Sequence, residues 1–495
     1  MKRSIYTLLL IGTLGVSLHS CTSQLEEDAR SSIPVKNFFT NEEECNSAVI
    51  GIYNYIKAPY NKYGYDEIPY AMLELPTGLF DNKAQWQFAS DYSNLKFDAS
   101  SPDFSIWWES CYKGIEAANS CLRYIPAVKM PEGKKNELLA EASFLRAYFY
   151  FQLVHIFGDV PLKMEPTANP ADALIGKSPV RDIFEKAIVP DLKFAEQQPL
   201  PATTQGNGRV SVMAVKTLLA KTYLSMAGLL KEQIFYGLAK SKALEVIQSN
   251  KHKLFESDQE LTWFNKLNNP AFDNKEEHIL MANYAINNAN SSLPVYFLPK
   301  EVKLVNALQF GGFAPSSFFL DAYDPADLRG RNNQGFFMNA IQIGDKKYEF
   351  PWAVYKFMDP GILTTAPNSA KNFPLLRYAD LLLVYSEAQN EADGSPDQAA
   401  FAAVNLIRKR AGLADISKLS QSEFREEVLK QRYFELCAEG KIWFDLVRTK
   451  KIFDTKAKKM VDLIGFKLPG GTIFKEDNLK FPIPSREVQI NPLLK

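Results

Sequence analysis

Three aspartates, Asp321, Asp324 and Asp327, recur at three-residue spacing in FLDAYDPADLRGR. Carboxylates are preferred ligands of calcium, so one chemistry open to this stretch is cation binding. The other is turn and helix-cap chemistry around Pro325, because short acidic side chains hydrogen-bond their own backbone. A second stretch, FDNKAQW, sets Trp86 beside Asp81, Asn82, Lys83 and Gln85. A flat ring flanked by groups that read hydroxyls suits a small polar ligand such as a sugar, whose C–H face packs on the ring. Tyr284, Tyr296 and Trp352 carry the same pattern into residues 255–374. For each of these rings the competing reading is a place in the core, where Trp and Tyr are often buried.

Strong catalytic signatures are missing. The sequence contains no GxSxG, HExxH, GxxxxGKS/T or GxGxxG pattern and no EF-hand loop. It has four histidines, one of them in the extreme N-terminal segment. Arg146 and His155 fall inside an apolar run, where a paired structural Arg and a hydrogen-bonded core His are expected. No catalytic residue and no cofactor is therefore assigned, although a carboxylate-pair glycosidase stays open because acids are plentiful.

The elements that must position these residues start with EASFLRAYFYFQLVHIFGDVP, Glu141 to Pro161. At 100° per residue its apolar side chains cover every side of a helix, which marks a buried element. A membrane span needs roughly 20 apolar residues, and Arg146, Gln152 and His155 interrupt this run. Pro131 suits the first helical position, Gly158 a stop, and Pro161 prevents restart. A deeply buried helix over 131–157 follows.

Further helices are expected near 41–57, 104–126, 180–197, 211–229, 234–250, 375–393, 396–411 and 421–438. Capping boxes mark three starts: Thr40 to Glu43, Ser395 to Gln398 with Pro396 at the first helical position, and Ser420 to Glu423. Ser178-Pro179 and Ser211 are further candidate caps. Many of these helices form adjacent antiparallel pairs with short connections, as tetratricopeptide-type solenoids do. Residues 58–103 and 255–374 carry fewer helix signals and hold Trp86, Trp263 and Trp352. Loops on a rigid scaffold are where binding residues concentrate.

Charge is balanced, 57 basic against 57 acidic residues, which argues against nucleic acid as the main partner. On a 104–125 helix Cys111 and Cys121 lie about 15 Å apart along the axis. A disulfide needs Cα atoms within about 7 Å, so free thiols are expected. No Cys/His spacing suggests zinc.

The N-terminus, MKRSIYTLLLIGTLGVSLHSC, has basic Lys2 and Arg3 and an apolar stretch from Ile5 to Leu18. That is the pattern of a secretory signal. Leu18-His19-Ser20-Cys21 resembles a bacterial lipobox, which makes Cys21 the lipid attachment site and TSQLEEDAR a polar tether.

Several segments, in order, resemble the SusD/RagB family of Bacteroidetes outer-membrane lipoproteins. They are the lipobox, LLAEASFLRAYFYFQLVHIFGDVPL, LRYADLLLVYSEAQNEA, AVNLIRKRAGL, FREEVLKQRYFELCAEGKIWFDLVR and FPIPSREVQINPLL. The resemblance implies a mainly α fold: a tetratricopeptide-like helical-pair scaffold carrying a variable loop-rich subdomain with short strands. It implies a lipid-anchored, surface-exposed outer-membrane protein that binds nutrients, most often oligosaccharides. Such proteins pass their ligand to a SusC-like TonB-dependent transporter without catalysis. The implied organisation is a signal (1–20), lipidated Cys and tether (21–37), and helical scaffold (38–254) with an aromatic insertion at 58–103. A variable subdomain (255–374) and C-terminal helical pairs (375–495) complete it. The family's ligand residues vary, so Asp81, Asn82, Trp86, Tyr284, Tyr296 and Trp352 stand as candidates on their own chemistry. Peptide capture, glycoside hydrolysis and pure assembly remain the alternative functions.

Overall fold

In the computed structural model, which describes residues 38–61, 68–83, 87–204, 206–286, 289–302, 309–363 and 369–495, the apolar run becomes the central helix. Cys21, its tether and Trp86 lie outside the described residues. The central helix spans Glu132–Phe157, and every residue from Leu138 onward is buried. Arg146 and His155 are individually satisfied, whereas the Gln152 Oε1 has no hydrogen-bond partner among the described residues. The Arg146 guanidinium donates from Nε and Nη2 to the two carboxylate oxygens of Asp191 at 2.7 Å each, and from Nη1 to Asn119 Oδ1 at 2.8 Å. His155 Nδ1 lies 2.7 Å from the Phe151 carbonyl, which can only accept, so that nitrogen carries the proton. Its Nε2 then accepts from Ser225 Oγ at 2.9 Å. Burial pushes the His155 pKa down to about 4, leaving it neutral.

Around this helix the scaffold is built from α1 (Glu42–Lys57), α2 (Pro102–Tyr124), α3 (the central helix), α4 (Val189–Glu196), α5 (Val212–Leu230) and α6 (Ile234–Gln248). It continues with α7 (Tyr378–Asp393), α8 (Gln398–Arg410), α9 (Gln421–Leu436) and α10 (Ile442–Thr449). Packing is between sequence neighbours, α2 on α3, α5 on α6 and α7 on α8, with α1 added to α2 and α6 to α7. This is the expected helical-pair arrangement. None of the described helices is long and apolar enough to cross a membrane.

The caps show where local chemistry decides. At α9 the box is as expected: Ser420 Oγ accepts from the Glu423 amide while Glu423 accepts from the Ser420 amide. Ser211 caps α5 through the Ala214 amide. At α1 the cap is Asn41 rather than Thr40, its side chain accepting from the Glu44 amide, and Thr40 bonds back to Glu44. At α8 the cap is Asp397, so Pro396 precedes the helix. Pro131 likewise caps α3 from outside. The span expected over 180–197 is divided by a π-helical turn at Phe184–Ile188, which wraps one residue too many before α4.

Short strands occur in the two irregular regions and once more near the C-terminal end. β1 (Phe80–Asn82) pairs with β3 (Phe313–Pro315), and β2 (His278–Ala282) with β6 (Phe373–Arg377). β4 (Phe337–Ile343) and β5 (Lys346–Val354) form a hairpin, as do β7 (Lys451–Asp454) and β8 (Lys459–Asp462). All four pairs are antiparallel. The insertion at 58–103 also contains the short helices Ala71–Glu74 and Gln87–Ser93. The described cysteines, Cys45, Cys111, Cys121 and Cys437, are all free and buried, and for Cys111 and Cys121 the helix spacing excludes a mutual disulfide.

Candidate functional site

β1 and β3 come from segments more than 200 positions apart, and their register sets Asp81 opposite Ala314 and Asn82 opposite Phe313. Phe80 locks the pair to the interior by packing on Phe313, ring centres 4.9 Å apart. The Lys83 amide extends the ladder by one bond, 2.8 Å to the Gly312 carbonyl. β5 packs against β3 from the other side. Its hairpin turns at Gly344-Asp345, where Gly344 supplies the positive φ of 58° that a two-residue hairpin loop requires. Trp352 rides on β5 and is partly buried.

Between these strands opens a cleft of about 230 Å³. Its walls include Phe297, Phe313, Pro351 and Trp352, and its polar side chains are Lys83, Lys300 and Glu301. The cleft thus brings Trp352 together with Lys83, while the candidates Asp81 and Asn82 stand next to it in the chain but not on its lining. Asp81 sits beside Lys83, carboxylate to ammonium 3.3 Å, both half exposed. Asn82 Nδ2 donates to Ser90 Oγ at 3.1 Å.

The other candidates lie elsewhere. Tyr296 is 1 % exposed and its ring occupies the space that a side chain at Gly312 would need, so it backs β3 from inside. Tyr284 is buried, its hydroxyl donating to the Lys57 carbonyl at 2.9 Å. Neither ring has a face to offer a ligand. The three aspartates do not converge on a cation: Asp321 pairs with Arg331, Asp327 with Arg329, and Asp324 accepts from the Ala326 amide. That is the turn reading, and among the described residues no cluster of ligating side chains suits a metal.

Larger grooves exist, and they too are lined by partly exposed rings, among them Phe97, Tyr112 and Phe466. One, of about 610 Å³, runs between α2 and the C-terminal segment. Its Trp108 is buried, and its Tyr112 hydroxyl donates to the Pro161 carbonyl at 2.8 Å. What sets the smaller cleft apart from these is a partly exposed tryptophan on its wall.

What sequence reasoning missed is the support under the cleft. Arg377, fully buried, donates to Glu277, Glu435 and Glu439. Arg410 joins Glu277 and Glu435, and Arg329 joins Asp327 and Glu435. Lys356, just past the end of β5, reaches Glu439 and the carbonyls of Glu435 and Cys437. Burial alone would raise the Glu439 pKa, but Arg377, Lys356 and Lys441 outweigh it and hold the carboxyl well below its usual range. The Glu435 pKa is held down to about 2; burial opposes this, and Arg410, Arg377 and Arg329 prevail. This network fixes the base of the hairpin that carries Trp352. Arg377 comes from LRYAD and Glu435 and Glu439 from QRYFELCAEGK, while Glu277, Asp327, Arg329, Lys356 and Arg410 come from four other parts of the chain.

Fold and cleft together define a class: a helical-pair scaffold that presents a small aromatic cleft on short paired strands. Residues 331–495 match the SusD family, and residues 24–224 match a family described as "Starch-binding associating with outer membrane". A SusD superfamily protein from Parabacteroides distasonis has the same fold with a TM-score of 0.86 and 33% identity, covering 92% of this chain and 98% of that one. The SusD-like protein P25 of Formosa agariphila is 25% identical over 99% of this chain and 98% of its own length. Surface glycan-binding protein A of Bacteroides uniformis shares the fold, TM-score 0.75, at 19% identity over 92% of this chain and 99% of its own. The chain belongs to the SusD family.

Proposed function

We propose that this protein captures an oligosaccharide at the Trp352 cleft and delivers it, without chemistry, to a SusC-like TonB-dependent transporter. The observation that carries the reading is the cleft itself, where a partly exposed indole on β5 faces the lysine-bearing end of β1. Apolar walls with a few polar groups are the general form of a small-molecule site. Glu301 is the single carboxylate on the described lining, whereas glycoside hydrolysis uses two acids; this supports binding over catalysis. The glycan-binding protein of Bacteroides uniformis that shares the fold supports the ligand class. The family's description as associating with the outer membrane supports the location, and lipidated Cys21 is the anchor assigned to it.

The test is a binding screen of the soluble domain from residue 22 against glycan and peptide panels, with Trp352→Ala and Trp86→Ala alongside. A glycan ligand lost in Trp352→Ala is the expected result. Binding confined to peptides, or glycan binding untouched by Trp352→Ala, overturns it. Reducing ends released from the bound glycan would restore hydrolysis. Cys21→Ala should leave the protein in the soluble fraction; its continued sedimentation with membranes lacking the transporter refutes the anchor.

A further inference from the structure

Every polar side chain on the described lining of the cleft carries a full charge, and two of the three are cations. Neutral sugars present hydroxyls, which are read by groups that both donate and accept, such as amides and hydroxyls. None of the described lining side chains is an amide or a hydroxyl. Lys83 leaves a backbone fixed by its bond to Gly312, and its ammonium is half exposed with only a long contact to Asp81. An exposed pair of that kind is worth little and is easily exchanged for another anion. Lys300 sits on the turn closed by the Val302 amide on the Pro299 carbonyl. It makes no ion pair or side-chain hydrogen bond with the described residues. Glu301 beside it is the one carboxylate on the described lining, which therefore carries two cationic side chains against one anionic, with the Asp81 carboxylate just outside it beside Lys83.

Resting on the glycan-binding reading above, we propose that the cleft selects an acidic oligosaccharide, with a ring against Trp352 and its anionic group held by Lys83 and Lys300. The anion is a carboxylate of a uronic acid or a sulfate ester; both satisfy the same two ammonium groups. Lysine acts here as a point charge with three rotatable donors, so it tolerates either geometry. Glu301 is left to accept from a neighbouring hydroxyl.

The experiment compares matched probes by calorimetry. Oligogalacturonide is set against its carboxyl-reduced counterpart, and a sulfated oligosaccharide against the same chain desulfated. Each is titrated into the wild type, Lys83→Met/Lys300→Met and Trp352→Ala; the two lysines are exposed, so the double variant should fold. The expected result is at least about tenfold tighter binding of one acidic probe than of its neutral partner, about 1.4 kcal/mol. That advantage should vanish in the lysine variant. It should also shrink in roughly 1 M salt, where the screening length is about 3 Å. Whichever acidic probe shows it identifies the anion. If neutral and acidic members bind equally, and the lysine variant matches wild type, this inference fails while glycan capture stands. If no probe of either kind binds through Trp352, the glycan reading fails as well.

Discussion

Lys356 Nζ lies 2.6 Å from Glu439 Oε1, both side chains almost wholly buried, and this contact joins the hairpin of the cleft to the turn between α9 and α10. The same ammonium donates to the carbonyls of Glu435 at 2.7 Å and Cys437 at 3.0 Å, and it stands 4.1 Å over the Phe336 ring. All three N–H donors are used. Trp352 is four positions upstream on the same segment, so the position of the indole is inherited from an ion pair in the core.

Lys356→Met should therefore act on both stability and binding. Removing one partner of a buried pair strands the others, a loss of about 3–5 kcal/mol. Denaturant unfolding measures that loss. Hydrogen exchange of the β5 amides should quicken in the variant, and ligand affinity should fall although Trp352 is untouched. Unchanged β5 protection would show that the hairpin is held by its own packing instead.

Glu74 gives a pH dependence of known sign. Its carboxyl is fully buried, Oε1 accepting from the Gly440 amide at 2.5 Å and Oε2 without a partner among the described residues. Burial raises its pKa from 4.5 to about 8, against the opposing pull of the Gly440 and Ala438 amides and Lys356. The folded chain thus holds this proton more tightly than the unfolded chain. Its contribution is complete below pH 4.5 and is lost as pH rises through 8. The difference in unfolding free energy between wild type and Glu74→Gln should move by a few kcal/mol across that window, the variant gaining relative to wild type. A flat difference would place a compensating cation closer to Glu74 than Lys356.

Much of the helical frame was legible because its signals are local. The Ser420 box needs only residues three apart, and the all-round apolar face of α3 needs one wheel. The Thr40 assignment slipped by one because Thr40 and Asn41 are adjacent caps followed by three glutamates, so two boxes of equal quality compete. The cleft was half legible. Trp352 and the 81–83 segment each had suitable chemistry, but their meeting depends on β1 pairing with β3, which no local pattern encodes. Tyr296 had the same chemistry and is buried, its ring occupying the space that a side chain at Gly312 would need. The Arg377 network was invisible for a related reason. Arg377 and Glu277 are 100 positions apart, and a charge reveals its partner only once the chain is folded.

Tyr296 and Trp352 offer a contrast that tests this division between core and cleft. Trp352→Ala removes a partly buried wall and should weaken glycan binding by about tenfold or more, about 1.4 kcal/mol, with a smaller change in unfolding than loss of a fully buried ring. Tyr296→Phe deletes a buried hydroxyl that has no partner among the described residues. It should leave affinity unchanged and stability equal or slightly higher, since an unsatisfied buried polar group is costly. Affinity lost in Tyr296→Phe would mean that its hydroxyl reaches the ligand and that the cleft extends beneath β3.

Two helical glycines should respond in opposite directions to the same substitution. Gly51 in α1 has nothing within 4 Å of where a Cβ would stand, so Gly51→Ala should stabilise by up to about 1 kcal/mol through helix propensity. Gly114 in α2 lies where α2 crosses the central helix, and a Cβ there would meet the Phe149 ring at 2.2 Å. Phe149 is itself 1 % exposed and cannot swing outward. Gly114→Ala gains the same propensity, yet overpacking a fixed core ring costs about 1–3 kcal/mol or more. The net effect should be a lower denaturation midpoint, and pairing it with Phe149→Leu should recover part of the loss. If Gly114→Ala alone proved neutral, α2 and α3 would have to separate freely. That is incompatible with α3 being buried on every side from Leu138 to Phe157, because sliding α2 outward would expose apolar surface along the whole contact.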